Sequence, residues 1–314
     1  MGRVISVFLI AVVATLGFLF FKKDTVFPES PVPDVNGTSK SNISNDWFPK
    51  SKTSKNTDVL NISARSAILI DYDTGEVIYA KNPTQKLPAA STIKIMTALI
   101  ALENAKLSDE FTVSEKVAHV GENSMGLTQG EKLTLEELLY GSMLVSGNDA
   151  AVAIAEGVSG SENAFVDAMN RAAGDMGLPD TKFVNASGLD DDGKVQYTTA
   201  FDLATIARFT WEKYPVFRKI VSAYNHTIDA NQNHKAFNLY NDTNLLTTYP
   251  GVKGIKPGFT WDAGWCLVTY AENGGKKLLA VILGSEDRRG EMITLLDYGF
   301  NKYGIKIDHP GLDL

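Results

Sequence analysis

The chain has 314 residues, 44% hydrophobic and 21% charged, which is enough to build one large folded domain or two smaller ones. Its formal net charge of −7 argues against nucleic-acid binding, and no nucleic-acid partner is expected. Cys266 is the only cysteine, so an intramolecular disulfide and a thiolate zinc site are excluded. The four histidines are scattered without a metal-binding pair, so we expect neither a metal nor a cofactor.

Residues 4–21 form an uncharged apolar stretch flanked by Arg3 and by Lys22-Lys23. As a helix this stretch would span about 27 Å, close to the thickness of the hydrocarbon core of a bilayer. It is longer than the apolar part of a typical secretory signal. We therefore predict a single-pass N-terminal membrane anchor over residues 1–23, with a removed signal peptide as the alternative.

The next segment, residues 24–58, is rich in Ser, Asn, Lys, Thr and Pro, a composition typical of a flexible linker. Folded-domain patterns begin at about residue 59. We predict one domain over residues 59–304 and a short tail over residues 305–314.

The folded part begins with two β-prone runs, residues 67–70 and 77–80, on either side of the turn sequence Asp73-Thr74-Gly75, so a hairpin is predicted. An apolar helix is predicted from Ser91 to about residue 102. The stretch 107–133 has several glycine turn signals and is expected to be irregular.

Helices dominate the middle of the chain. The start signal Thr134-Leu135-Glu136-Glu137 and the apolar periodicity after it predict a helix to residue 145. Three more helices are predicted, over residues 148–158, 161–176 and 199–213.

The last third is rich in strands. We predict strands at residues 222–228, 251–257, 265–270 and 277–283, and a final helix over residues 288–303. Strands at both ends and helices between them indicate an α/β fold. Its mostly antiparallel sheet, in which the first and last strands can pair, is flanked by helices, with an all-helical subregion.

Ser91 and Lys94 form an S-x-x-K motif at the start of the first apolar helix. Residues three apart on a helix are neighbours, so a lysine amine would lie beside a serine hydroxyl. Lysine can act as the base that activates serine if its surroundings keep the amine neutral. The spacing indicates acyl transfer through a serine ester, although such a pair also occurs by chance.

Two further motifs follow. Ser146-Gly147-Asn148 lies between two apolar helices, where a hydroxyl and an amide could face a cleft, or could simply cap the helices. Lys256-Pro257-Gly258 lies in a β-prone run, where the lysine could face a carboxylate or an oxyanion, or could be a surface lysine beside a turn.

The order S-x-x-K, S-x-N and Lys-x-Gly is the signature of serine penicillin-recognising enzymes. The sequence between about residues 59 and 303 resembles the low-molecular-mass D-alanyl-D-alanine carboxypeptidases, peptidase family S11. The resemblance is strongest at residues 64–80, 87–97, 135–156, 183–189 and 251–267. It implies a DD-peptidase/β-lactamase-like fold.

The resemblance also implies roles. Ser91 would be the nucleophile and Lys94 its base, with Ser146 and Asn148 as the second catalytic element. The substrate would be bound by Lys256, Gly258, Phe259, Thr260 and Arg288, with Arg289 as a rival to Arg288. The N–H groups of Ser91 and Phe259 would form the oxyanion hole.

Pro257 departs from the family, which usually has threonine there, so a carboxylate contact is expected to be weakened while catalysis is retained. Because N–H groups alternate along a strand, we expect residue 257 to point its backbone nitrogen toward the cleft, so that proline removes no bond within the sheet. Thr260 or Arg288 could take over the carboxylate.

Together with the predicted N-terminal anchor, the resemblance implies a membrane-tethered serine DD-carboxypeptidase that faces the cell wall from the extracytoplasmic side. Its partners would be a peptidoglycan stem peptide ending in D-Ala-D-Ala and, as covalent inhibitors, β-lactam antibiotics. Two alternatives stay open: a DD-endopeptidase with the same chemistry, and a catalytically degenerate peptidoglycan-binding homologue. A class A β-lactamase is disfavoured because no E-x-x-x-N sequence follows Asn148. Cys266 is expected to be buried and inert.

Overall fold

The computed structural model describes residues 49, 51–53, 60–191, 193–243 and 245–309. The predicted anchor, residues 1–23, lies outside the described residues, as does most of the predicted linker. No helix in this described part of the chain is both long enough and apolar enough to cross a membrane.

Nine strands occur in the described residues. In chain order they are β1 (Ser66–Asp71), β2 (Val77–Lys81), β3 (Glu110–Thr112), β4 (Lys132–Thr134), β5 (Asn225–Ile228), β6 (Phe237–Tyr240), β7 (Val252–Thr260), β8 (Gly264–Asn273) and β9 (Lys276–Ser285). Five of them form one antiparallel sheet in the order β2-β1-β9-β8-β7. The predicted pairing of the first and last strands is confirmed, since β1 pairs with β9.

Nine α-helices occur in the described residues, and some of them pack on the two faces of this sheet. In chain order they are α1 (Lys94–Asn104), α2 (Glu115–Ala118), α3 (Leu135–Leu144), α4 (Asn148–Ser159), α5 (Glu162–Asp175), α6 (Ala200–Lys213), α7 (Pro215–Val221), α8 (Leu245–Thr248) and α9 (Arg288–Asn301). The final helix α9 covers one face, and α1 and α6 belong to the helical region on the other.

Both faces of the sheet are buried, because alternate side chains of its central strands enter two different cores. In β9, Val281 joins the core shared with α1 and α6, whereas Ala280 and Ile282 join the core beneath α9. The sheet is therefore a central layer, and its edge strand β7 is left next to the helical region.

Helix α1 runs through the interior, and residues 94–101 are all buried. It is preceded by a 3-10 turn, Ala90–Ile93. Ser91 therefore lies in this turn rather than in the first turn of the α-helix that the sequence predicts. The turn packs against β7, which brings two of the sequence motifs together.

The helix α3 begins with a capping box, as its sequence predicts. Thr134 accepts a hydrogen bond from the backbone of Glu137, whose carboxylate accepts one from the backbone N–H of Thr134. Helix α4 begins at Asn148 after a tight connection through Gly147. This connection fixes the direction in which the second motif faces.

Two predicted regions differ in the structure. Residues 107–133 are not wholly irregular, since they contain β3, α2 and the start of β4. The sequence did not indicate these strands, because three residues are too few to show the apolar–polar alternation of a β-strand. The strand predicted at residues 222–228 begins only at Asn225, because Ser222 ends α7. A proline at the first position of α7 is the start signal for that helix.

Residues 305–309, predicted as part of a tail, lie against the domain. Ile305 and Ile307 pack on the core beneath α9. The imidazole of His309 lies 3.0 Å from the carboxylate of Asp297 on α9. This segment therefore contributes to the packing of the final helix.

Candidate active site

The nucleophile and the base predicted from the first motif are in contact. The Nζ atom of Lys94 lies 2.8 Å from the Oγ atom of Ser91. Lys94 is completely buried, and burial, followed by the nearby charge of Lys256, lowers its pKa well below the ordinary value. The lysine is thus held in a setting that favours the neutral amine, the form that can accept the serine proton.

Two other oxygens complete the surroundings of the amine. Lys94 Nζ donates to Asn148 Oδ1 at 2.8 Å and to the carbonyl oxygen of Ser187 at 2.5 Å. A neutral amine has two N–H donors and one lone pair. When the two donors are used by Asn148 and Ser187, the lone pair is left facing the hydroxyl of Ser91.

The second motif lines the same cleft. Ser146 adopts a left-handed conformation with φ of 60° and is almost completely buried. Asn148, two residues later, donates from Nδ2 to the carbonyl oxygen of Gly121 at 3.1 Å. Its side chain therefore connects the base to the loop that precedes α3. The structure brings Ser91, Ser146 and Asn148 to one cavity.

The third motif forms the opposite wall. Gly258 in β7 lies so close to the 3-10 turn that a Cβ atom there would be 2.9 Å from the backbone nitrogen of Ser91. Phe259 follows it and lines the cleft. The N–H groups of Ser91 and Phe259 were predicted to form the oxyanion hole, and these residues belong to two segments that pack against each other, the 3-10 turn and β7.

Lys256 is fully buried behind this wall, and its Nζ atom makes no hydrogen bond to any described residue. Burial lowers the pKa of Lys256 to about 7; the charge of Asp242 opposes this shift and that of Arg288 adds to it. An unpaired, buried amine in this position is suited to a negative charge brought by a ligand.

Pro257 lines the cleft. It belongs to β7, which is an edge strand paired only with β8, and edge strands tolerate proline. The structure therefore accommodates the departure from the family motif without a break in the sheet.

Two residues, Thr260 and Arg288, were predicted to bind the carboxylate in place of the missing threonine, and only one of them has a free donor group. Thr260 donates its hydroxyl to Asp190 Oδ1 at 2.9 Å, so its proton is already used. Arg288 lines the cleft, whereas Arg289 is not among the lining residues. Arg288 is accordingly the better placed of the two arginines.

The cleft has a volume of about 360 Å³. Besides the predicted residues, its lining includes Glu122, Asn123, Leu189, Asp242 and Trp265. These residues come from loops and from the start of β8, and sequence reasoning assigned them no role. Only their position after folding identifies them.

A buried carboxylate supports one side of the cleft. Asp149 accepts hydrogen bonds from the backbone N–H groups of Met125, Gly126 and Leu127 at 2.8–2.9 Å, and from the hydroxyl of Ser124 at 2.7 Å. It therefore fixes the loop that carries Glu122 and Asn123. Asp149 directly follows Asn148, which is the only sign of its role in the sequence.

The stretch 183–189, which resembles the family, supports the nucleophile. The carbonyl oxygen of Ser187 accepts from Lys94, and Gly188 packs against the 3-10 turn. A Cβ atom on Gly188 would lie 2.2 Å from the carbonyl oxygen of Ala90. Glycine is required at this position both by its φ of +88° and by this close approach.

Two further features concern the thiol of Cys266 and the residue types that bind metal ions. Cys266 is buried, as predicted, and burial raises the pKa of its thiol to about 12. Within the described residues, no group of three or more His, Cys, Asp or Glu side chains is arranged to hold a metal ion.

Comparison with solved structures supports the fold. A Streptomyces DD-transpeptidase is 29% identical with a TM-score of 0.73, covering 78% of this chain and 99% of that one. A cefotaxime-bound penicillin-binding protein of Listeria monocytogenes is 28% identical with a TM-score of 0.69, covering 77% and 99%. The predicted DD-peptidase fold class is confirmed.

Sequence relatives point the same way. DacF, a D-alanyl-D-alanine carboxypeptidase of Bacillus subtilis, is 39% identical over 257 residues, which are 79% of this chain and 65% of DacF. A D-alanyl-D-alanine carboxypeptidase of Mycobacterium tuberculosis is 32% identical over 243 residues, covering 76% and 82%. The chain therefore spans just under two thirds of DacF.

The family model for D-alanyl-D-alanine carboxypeptidases matches residues 51–287, a range that contains all three motifs and every residue predicted for the site except Arg288. The chain belongs to this family, peptidase family S11.

Proposed function

We propose that this protein is a serine-type DD-carboxypeptidase that removes the terminal D-alanine from peptidoglycan stem peptides. The observation that carries the proposal is the buried Lys94 amine, which lies 2.8 Å from the Oγ atom of Ser91, a residue that lines the cleft. A neutral amine at hydrogen-bond distance from a hydroxyl is the arrangement that general-base activation of serine needs.

The reaction would begin with attack of Ser91 Oγ on the carbonyl carbon of the penultimate D-alanine. Lys94 takes the hydroxyl proton as the new C–O bond forms. The N–H groups of Ser91 and Phe259 would stabilise the negative charge that develops on the carbonyl oxygen. Ser91 belongs to the turn that leads into α1, where backbone N–H groups lack partners within the helix.

In the second half of acylation, the C–N bond breaks and the departing amine of D-alanine takes a proton, which Ser146 could pass from Lys94. Water then attacks the acyl carbon of the Ser91 ester while Lys94 accepts a proton from that water. The bond between Ser91 Oγ and the acyl carbon breaks, Lys94 returns the proton to Oγ, and the shortened peptide leaves. Lys256 and Arg288 would hold the terminal carboxylate during the first step. A β-lactam would acylate Ser91 by ring opening, so its leaving group stays attached and hydrolysis is slow.

The test is release of D-alanine from a pentapeptide ending in D-Ala-D-Ala, together with covalent labelling by fluorescent penicillin. The wild-type protein should do both, and Ser91→Ala should abolish both. Ser108→Ala, at an exposed serine away from the cleft, is the matched control and should change neither.

The same assay separates the alternatives. A DD-endopeptidase would cleave a cross-linked stem-peptide dimer faster than it releases D-alanine. A degenerate homologue would bind peptidoglycan without D-alanine release and without a penicillin adduct; that result would overturn the proposal.

We further infer that residues 4–21 tether the domain to the outer face of the cell membrane. The support is the length of the uncharged stretch and the location of peptidoglycan outside the membrane. Full-length protein should stay with membranes after alkaline extraction and be cleaved by protease added to intact protoplasts. Protection from that protease would contradict the orientation.

A further inference from the structure

Arg288 is held in the cleft by an aromatic ring. Its guanidinium carbon lies 4.5 Å from the ring centroid of Trp265, within the range of a cation–π contact. Trp265 is in turn packed on Phe259, with ring centroids 4.3 Å apart. These two rings come from paired positions of β7 and β8, so the strand register fixes the surface on which the arginine lies.

No hydrogen bond or ion pair joins the side chain of Arg288 to another described residue. Its long side chain is therefore oriented mainly by the ring of Trp265. Two other charges act on it: the carboxylate of Asp242, which also lines the cleft, and the amine of Lys256, which is buried behind the cleft wall. When Lys256 is protonated, the two cations and the one carboxylate leave one positive charge that an anionic ligand can neutralise.

The chain depends on this arginine more than the usual family motif does. Pro257 offers no hydroxyl, and the hydroxyl of Thr260 is already donated to Asp190. Neither position 257 nor position 260 of β7 therefore offers a free hydroxyl to a carboxylate. Recognition of a terminal carboxylate then falls on Arg288 and Lys256.

We propose that Trp265 is a positioning residue: its ring holds the guanidinium of Arg288 in the orientation that binds the terminal carboxylate of the substrate. Trp265 thereby sets the preference for peptides with a free carboxylate over peptides with a neutral end. This inference rests on the proposed DD-carboxypeptidase function.

The test compares Trp265→Phe with Trp265→Leu. Both side chains can pack on Phe259, but only phenylalanine presents a π face to Arg288. With a peptide ending in D-Ala-D-Ala, Trp265→Leu should raise KM about fivefold with kcat changed less than about twofold, and Trp265→Phe should restore most of the loss. Trp261→Leu is the control, because Trp261 is exposed and also contacts Phe259, whereas the cation–π contact of Arg288 is with Trp265.

A second substrate, the same peptide with a C-terminal amide, separates positioning from a general structural role. Its kcat/KM should be nearly equal in wild type and Trp265→Leu. A loss of the same size with both substrates, or a Trp265→Leu variant that behaves like Trp261→Leu, would overturn the inference. A wild-type protein that neither releases D-alanine nor binds penicillin covalently would instead overturn the proposed function.

Discussion

The amine of Lys94 lies 2.8 Å from Oδ1 of Asn148, although the two residues are 54 positions apart in the sequence. This amide oxygen is a neutral acceptor, so it orients the lysine without favouring the charged ammonium as a carboxylate would. The pairing of lysine with asparagine therefore fits a base that must be unprotonated to act.

Asn148→Asp is expected to impair the base by charge. A carboxylate at this distance raises the pKa of Lys94, so the acidic limb of the kcat/KM profile should move to higher pH and acylation at pH 7 should fall about tenfold or more. The measurement is the pH dependence of fluorescent penicillin labelling. Asn148→Ala removes the same hydrogen bond without adding charge, and its limb should not move upward. An unchanged profile in Asn148→Asp would show that Lys94 is not the base.

The pKa of Lys256 leads to a prediction for the alkaline limb of the kcat/KM profile. Its pKa of about 7 means that its charge is lost as the pH rises through neutrality. If the protonated amine binds the substrate carboxylate, kcat/KM should decline above about pH 7, whereas the limb in kcat should lie higher, because the bound carboxylate raises the pKa of Lys256. In Lys256→Gln this decline should disappear and kcat/KM should be low throughout. A flat wild-type profile between about pH 6 and pH 9 would contradict the assignment.

Pro257→Thr should improve the enzyme. Threonine suits a β-strand and adds a hydroxyl beside the expected carboxylate position, so kcat/KM for a D-Ala-D-Ala peptide should rise about tenfold with an unchanged melting temperature. Pro257→Val, of nearly the same shape without the hydroxyl, should give no gain. A clear drop in turnover for Pro257→Thr would mean that the proline itself is required.

Much of the site could be predicted because its chemistry lies in short motifs. Ser91 and Lys94 are three residues apart, and helical geometry alone makes them neighbours. Ser187 could not be assigned in this way, because it acts through its backbone carbonyl, a group that every residue has. The cleft positions of Asp242 and Trp265 depend on how distant loops and strands meet.

The same distinction between local pattern and distant contact decides which parts of the fold could be predicted. Long periodic segments such as α5 and α6, and the β8–β9 hairpin with its glycine turn, were predictable from local pattern. The three-residue strands β3 and β4 were not, since their pairing depends on the contact between residues 110–112 and 132–134 rather than on alternation.

Gly188→Ala is expected to disturb the nucleophile. The added methyl group would collide with the carbonyl oxygen of Ala90 and push on the turn that holds Ser91, so penicillin acylation should fall about tenfold or more. Gly193→Ala is the control: it shares a positive φ of 83°, but no atom lies within 4 Å of the added carbon. Equal effects of the two variants on acylation would indicate backbone strain alone rather than displacement of Ser91.

Asp149→Asn should uncouple the loop at residues 121–127 from α4. Its carboxylate accepts from four groups of that loop, and an amide replaces one accepting oxygen by a donor that faces other donors. We expect a loss of about 3 kcal/mol in the free energy of unfolding, measured by urea denaturation. Penicillin acylation should also slow in the folded variant, because the carbonyl oxygen of Asn123, carried by this loop, accepts a hydrogen bond from the backbone N–H of Asn148.

Asp167→Asn, on the exposed side of α5, is the control and should change neither the free energy of unfolding nor the rate of acylation. A stable Asp149→Asn variant with normal acylation would show that the loop holds its position without this carboxylate.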